Sequence, residues 1–395
     1  MASICFYFQV HQPLRMRKFS IFEDNSKDPY SLYFDVKLNR EIFEKVAKKC
    51  YLPTNKIMLD LISKHDGKFK ISYSLTGVFL EQCCSYMPQV LDTFEDLAKT
   101  GCVDFLSETY FHSLVSLFND KSEFKDQIEQ HKKILKELFN YSPIVFRNTE
   151  ALFSNEIAKI IEDLGYKGII TEGIEHVLGW RSPDYLYRPK GCNKIKVLLR
   201  NYRLSDDVSY RFSARWWSGW PLTAEKYAAW LSRCEGQCVN VFMDYETFGE
   251  HQWEDTGIFD FLRNMPNEIL KYENLNFKTP SEVVNSFEPV GEIDVPYHLS
   301  WADIERDTSA WLGNEMQRHC FSILEKLGQL AKEKGDQDLL HIWRLLGNSD
   351  HLYYMCTKAW ADGDVHKYFS PFQSPYEGFM NYMNILQDFK TKLQK

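Results

Sequence analysis

The chain has 395 residues with a formal net charge of -8, 44% hydrophobic and 15% aromatic. That balance suits a folded chain with a large core and excludes a disordered one. The acidic balance argues against nucleic acid, whose binding needs a concentrated basic surface. No apolar run approaches the roughly 20 residues of a membrane helix, and the first residues lack the basic start and long apolar middle of a secretory leader. A cytoplasmic protein without membrane contact is expected; oligomeric state is not readable.

In chain order, seven short apolar or β-branched runs stand out before residue 250, at about 3–10, 70–75, 102–106, 144–147, 168–171, 196–199 and 239–243. Most are separated by helical sequence. Residues 123–139 place Phe124, Ile128, Leu135 and Leu138 at helical spacing, and 155–164 follow Ser154 as a cap and precede Gly165. Strand–helix alternation predicts an α/β fold with a parallel sheet, long enough to close into a barrel. There is no GxGxxG turn and no P-loop, which argues against the nucleotide-binding versions of this class. The runs end near His11, Thr76, Glu108, Glu150, Glu172, Asn201 and Asp244, so polar groups should converge at one mouth.

After Glu288 the texture changes. Residues 1–290 read as the strand–helix domain and 291–395 as a helical domain, with helices over 308–333 and 337–358 and with Trp301, Asp303, Trp311, Asn314, Asp350 and His351 as notable side chains. Ten cysteines lack paired CxxC spacing; only Cys83 and Cys84, and Cys234 and Cys238, lie close. Buried reduced thiols are expected.

The stretch V-N-V-F-M-D-Y-E-T-F-G-E-H-Q-W, 239–253, runs as a buried strand and stops at acids: Asp244, Glu246 and Glu250. P-I-V-F-R-N-T-E, 143–150, repeats that grammar and ends on Glu150. One such acid is ordinarily a helix cap or a solvated loop residue; two at one mouth suit glycoside cleavage, which needs a pair of carboxyl groups across one bond. If the strand kept alternating, Asp244 and Glu246 would share a side, so spacing does not separate them. Trp217 and Trp220, in R-W-W-S-G-W, and Trp253, in H-Q-W, could form sugar platforms or ordinary core. His11 in V-H-Q-P reads as a hydrogen-bond donor at a strand end rather than a metal ligand, and His112 and His251 are taken likewise. Arg147 is placed to hold Glu150 ionised.

Five ordered strings carry a family resemblance: His11-Gln12-Pro13, Ser107-Glu108-Thr109-Tyr110-Phe111-His112, Phe146-Arg147-Asn148-Thr149-Glu150, Asp244 to His251, and Ser349-Asp350-His351. Together they resemble the conserved regions of glycoside hydrolase family 57, α-amylase-like members above all. The resemblance implies an incomplete (β/α)7 barrel followed by a C-terminal helical domain, acting on α-glucans by a retaining mechanism with no cofactor or catalytic metal. It makes Glu150 the nucleophile and Asp244 the general acid/base. His11, Glu108, His112, Glu246, His251 and Asp350 would line the substrate cleft, with His351 beside them. The family also spans 4-α-glucanotransferases, branching enzymes and α-galactoside cleavage, and this chain is short for it. A zinc hydrolase or deacetylase using His11, His112 and His251 is disfavoured by the lack of a tight His-x-His or His-x-x-x-His pair. A glucan-binding protein without catalysis would leave the two acids without a role.

Overall fold

In a computed structural model, which describes residues 2–23, 28–358 and 370–395, the chain is a mixed α/β fold built on a largely parallel sheet. The strands are β1 (Ala2–Val10), β2 (Ile71–Leu75), β3 (Val103–Phe105), β4 (Val145–Arg147), β5 (Gly168–Glu172), β6 (Tyr187–Pro189), β7 (Lys196–Arg200), β8 (Cys238–Asp244), β9 (Leu275–Phe277) and β10 (Gly291–Ile293). The pairings run β8–β1–β2–β3 on one side and β4–β5–β7–β8 on the other. A parallel bridge, Ser107 with Phe146, joins the end of β3 to β4 and completes the circuit. The seven strands of that circuit are the seven expected from the sequence. β9 lies beside β1, while β6 joins β7 antiparallel and carries β10.

β1 shows how the sequence dictates the layers. All nine of its residues are buried, as a strand covered on both faces requires. Ile4, Phe6, Phe8 and Val10 enter one apolar cluster together with residues of the surrounding helices. The alternate residues Cys5 and Tyr7 enter another, shared with Leu106, Val145, Ile170, Leu198, Cys238 and Phe242 and reached by Val283 and Val284 of the helix Pro280–Ser286. That second cluster fills the inside of the circuit. Because side chains alternate, the residue two positions beyond each member faces the same way. Beyond Tyr7, Leu106, Val145, Ile170, Leu198 and Phe242 these residues are Gln9, Glu108, Arg147, Glu172, Arg200 and Asp244, one polar layer above an apolar one.

The chain after β10 is helical: Ser309–Leu312, Glu315–Lys334, Gln337–Leu346, Ser349–Tyr353 and Pro375–Gln394. The two long helices expected here are each broken once. Asn314 forms a capping box with Gln317, and Asn348 accepts from the Asp350 amide, so each asparagine restarts a helix. One cluster runs from Leu14 to Leu393, packing these helices on the sheet's own layer, and β10 lies within the sheet although the composition changes at residue 291. All ten cysteines are free thiols, eight of them buried. Among the described residues, no helix is long and apolar enough to cross a membrane.

Gly249, in the turn after β8, sits at φ +104°, and a Cβ there would lie 2.1 Å from the Lys49 carbonyl oxygen. Gly165 also has positive φ but open space around it. In urea unfolding, Gly249→Ala should cost about 2–3 kcal/mol or more and Gly165→Ala roughly 1. Equal costs would show that the Lys49 contact yields freely.

Candidate active site

The register assembles the site. Val10 pairs with Leu75, so the next residues, His11 and Thr76, stand side by side, and His11 Nδ1 lies 2.9 Å from Thr76 Oγ1. The other ring nitrogen of His11 is 3.1 Å from Asp350. Gln9, paired in register with Asp244, donates to Glu108 at 3.1 Å. Ser74 also donates to Glu108. The His11 and His112 rings stack with centroids 4.0 Å apart. His112 bridges two carboxylates, Nδ1 to Glu108 at 3.3 Å and Nε2 to Glu150 at 3.1 Å. Both contacts need an N–H, so His112 is an imidazolium.

Burial opposes that charge, yet the bonds to Glu108 and Glu150 win and raise His112 to about 9. His11, with less to compensate burial and a cation stacked on it, is lowered to about 4. For Glu108, burial pushes upward, but His112 and neighbouring cations bring it down to about 2. Glu150 follows the same pattern: burial raises it, and His112, the Arg147 charge and the Trp301 indole together hold it below the ordinary glutamate value. Asp244 goes the other way. Burial raises it, opposed by His251 and assisted by the negative charge of Glu150. The two strand-end carboxyl groups are thus shifted in opposite directions from their ordinary values.

Trp301 Nε1 donates to Glu150 at 2.9 Å, a contact the sequence did not single out. Arg147 is fully buried, yet its guanidinium makes no hydrogen bond; it lies 4.7 Å from the Trp301 ring centroid, so its effect on Glu150 is that of a charge, not a clamp. Glu246 separates from Asp244: β8 ends at Asp244, a 3-10 turn spans Tyr245–Thr247, and the Glu246 carboxyl accepts from the Tyr51 hydroxyl at 2.5 Å. Burial and then the charge of Asp244 raise Glu246 to about 8. Tyr51 arrives from a π-helical segment, Ala47–Tyr51, a local widening that carries no simple sequence period.

The remaining expected residues lie farther out. His251 is exposed, and Asp244 acts on it electrostatically. Trp253 is 56% exposed with the Lys49 ammonium 5.1 Å over its ring. Trp217 packs edge-on against Trp230 and under Arg211, and Trp220 stands partly exposed beside Arg215. His351 is buried with its two ring nitrogens 3.0 and 2.9 Å from the carbonyls of Leu346 and Leu14, a bracing position. Among the described residues no group of three or more His, Cys, Asp or Glu is arranged to hold a metal.

Residues 5–296 match the family model of glycosyl hydrolase family 57, and the chain belongs to that family. A Methanocaldococcus jannaschii protein with a provisional α-amylase name is 51% identical over 403 residues, covering 99% of this chain and 85% of its own. Three more distant curated relatives, at 19–21% identity, are spanned over only 38–44% of their length. In structure the chain resembles a branching enzyme of Pyrococcus horikoshii, TM-score 0.71 at 14% identity, over 97% of this chain and 88% of that one. It also resembles the 4-α-glucanotransferase of Thermococcus litoralis, TM-score 0.61 at 17% identity, over 97% and 59%. At such identities the structural likeness speaks for the fold alone.

The raised His112 predicts a stability signature. A cation favoured by the fold contributes fully below its unfolded value of 6.5, and that contribution disappears as pH rises through about 9. Wild-type unfolding free energy should therefore decline between these values by on the order of 2–3 kcal/mol, and His112→Gln should lose that slope. A slope unchanged in the variant would mean that His112 is neutral in the fold.

Proposed function

We propose that this chain is a retaining glycosidase of the α-amylase type, cleaving α-1,4-linked glucans with Glu150 as nucleophile and Asp244 as general acid/base. The observation that carries this reading is the setting of Glu150, held by His112 at 3.1 Å and Trp301 at 2.9 Å, with its negative charge reaching Asp244 at the end of β8. We read the seven-strand circuit as an incomplete (β/α)7 barrel over residues 1–290, with 291–395 completing the cleft through Trp301 and Asp350.

In the first step the ionised Glu150 attacks the anomeric carbon while protonated Asp244 gives its proton to the departing glycosidic oxygen. In the second, Asp244 takes a proton from water as that water displaces the Glu150 ester, restoring both groups and the original anomeric configuration. Retention calls for carboxyl groups about 5–5.5 Å apart. His11 and Asp350, both part-exposed, supply hydrogen-bonding edges, with His112 and the fully buried Glu108 behind them, and the exposed indoles Trp220 and Trp253 supply apolar faces for further sugar rings. The names of the glucanotransferase and branching-enzyme relatives support a second reading, in which a sugar hydroxyl replaces water in the second step.

Maltoheptaose discriminates: shorter products alone mean hydrolysis, and products longer than the substrate mean transfer. Glu150→Ala and Asp244→Ala should each lower kcat by at least about a thousandfold. With an α-glucosyl fluoride and azide, Glu150→Ala should give the inverted β-azide and Asp244→Ala the retained α-azide. Glu246→Gln should give neither azide and keep measurable turnover. A retained azide from Glu246→Gln in place of Asp244→Ala would move the acid role to Glu246. Wild-type kcat/KM should form a bell, with its acid limb below the ordinary glutamate range because Glu150 is lowered and its alkaline limb set by the raised Asp244.

A further inference from the structure

Trp301 stands outside the carboxylate pair and outside the five motifs, yet it reaches Glu150 twice. Its indole Nε1 donates to Glu150 Oε2 at 2.9 Å, and its backbone amide lies 3.3 Å from the Glu150 carbonyl oxygen. Glu150 and Ala151 have φ of +55° and +52°, a left-handed turn that non-glycine residues adopt only when neighbours impose it. The indole ring in turn has the guanidinium carbons of Arg147 and Arg200 4.7 and 5.7 Å from its centroid. Two cations over one ring draw density from it and make its N–H a stronger donor toward a carboxylate. Arg306 donates to the Trp301 carbonyl and pairs with Glu172 at 3.2 Å, which ties the segment to the end of β5.

Resting on the reading of Glu150 as nucleophile, we infer that Trp301 is its positioning residue, the indole N–H and the His112 imidazolium together fixing the carboxylate between them so that it faces the anomeric carbon. The indole donor keeps a carbonyl oxygen to bind after Glu150 becomes an ester, so it serves both steps. A role as a sugar-stacking wall predicts something different, because a wall acts on substrate binding and leaves the carboxylate untouched.

Trp301→Phe keeps an aromatic ring against Arg147 and removes the N–H along with part of the indole's area. It should lower kcat and kcat/KM together by roughly 10- to 100-fold, the range for losing one hydrogen bond to a charged group, with KM within about twofold, and should move the acid limb of the kcat/KM profile to higher pH. Trp301→His, which retains a ring N–H, should recover part of the loss. A raised KM at unchanged kcat, or wild-type kinetics, would overturn the inference. Carbon-13 titration of the Glu150 carboxyl, assigned with Glu150→Gln, tests the bond without turnover: an upward shift in folded Trp301→Phe supports it, and an unmoved titration refutes it. If Glu150→Ala stays active while that titration shifts, the nucleophile assignment fails and the Trp301 contact stands.

Discussion

The site depends on one constraint, the period of two along a β-strand, applied around a circuit of seven. Tyr7, Leu106, Val145, Ile170, Leu198 and Phe242 fill the interior at one level. Two residues on, the same alternation turns Gln9, Glu108, Arg147, Glu172, Arg200 and Asp244 inward as the next level. A buried polar layer is costly unless its members satisfy each other, and most do. Gln9 and Ser74 serve Glu108, while Arg200 pairs with Glu172 at 3.0 Å and with Asp206 at 2.5 Å. Arg147 is buried without a hydrogen-bond partner among the described residues. It sits where its charge acts on Glu150, Glu108 and Asp244 together.

Within that layer, burial acts on every carboxyl group in the same direction, and the partners decide the outcome. Glu150 and Glu108 each take a bond from the same imidazolium, and for both the bonds and charges outweigh desolvation. No hydrogen bond enters the balance on Asp244, so burial prevails there. Glu108 gains a role through this difference. It is fully buried and far from reacting itself, but as a second anion on His112 it keeps that ring charged, and the charged ring keeps Glu150 ionised. The stacked His11, lowered by burial and then by the same cation, remains a neutral hydrogen-bonding group toward Asp350.

The layers were legible in the sequence because their signals are local. Each of the seven apolar runs became a strand of the circuit, and of the residues just past their ends His11, Thr76, Glu108 and Glu150 came together in one network, while Asn201 caps a helix instead. β6, β9 and β10 escaped notice because Y-R-P, L-N-F and G-E-I each set a polar residue among the apolar ones and so form no apolar run, whereas the equally short β3 and β4 extend into one. Trp301 and Tyr51 were illegible as partners of Glu150 and Glu246 for another reason: each depends on an irregular segment, one after β10 and one in a π-helical turn. His351 looked like part of the cleft because it adjoins Asp350, but within the helix Ser349–Tyr353 adjacent side chains point apart. Asp350 turns to His11 and His351 to two backbone carbonyls.

The irregular segments therefore complete what the strands begin. A continuous helix through residue 348 would rotate Asp350 away from β1. The Asn348 side chain instead caps a new helix at the Asp350 amide, and its own amide nitrogen lies 3.3 Å from His11 Nε2. One asparagine thus sets the helix break and approaches the histidine that Asp350 engages. Trp301 is delivered in the same way, by a segment that Arg306 fastens to Glu172, a member of the polar layer. The strand layer specifies where carboxyl groups stand, and the chain that follows β10 supplies donors that the strands alone do not. The polar layer and the C-terminal helices are consequently joined by contacts more than 300 residues apart in sequence, such as His11 with Asp350.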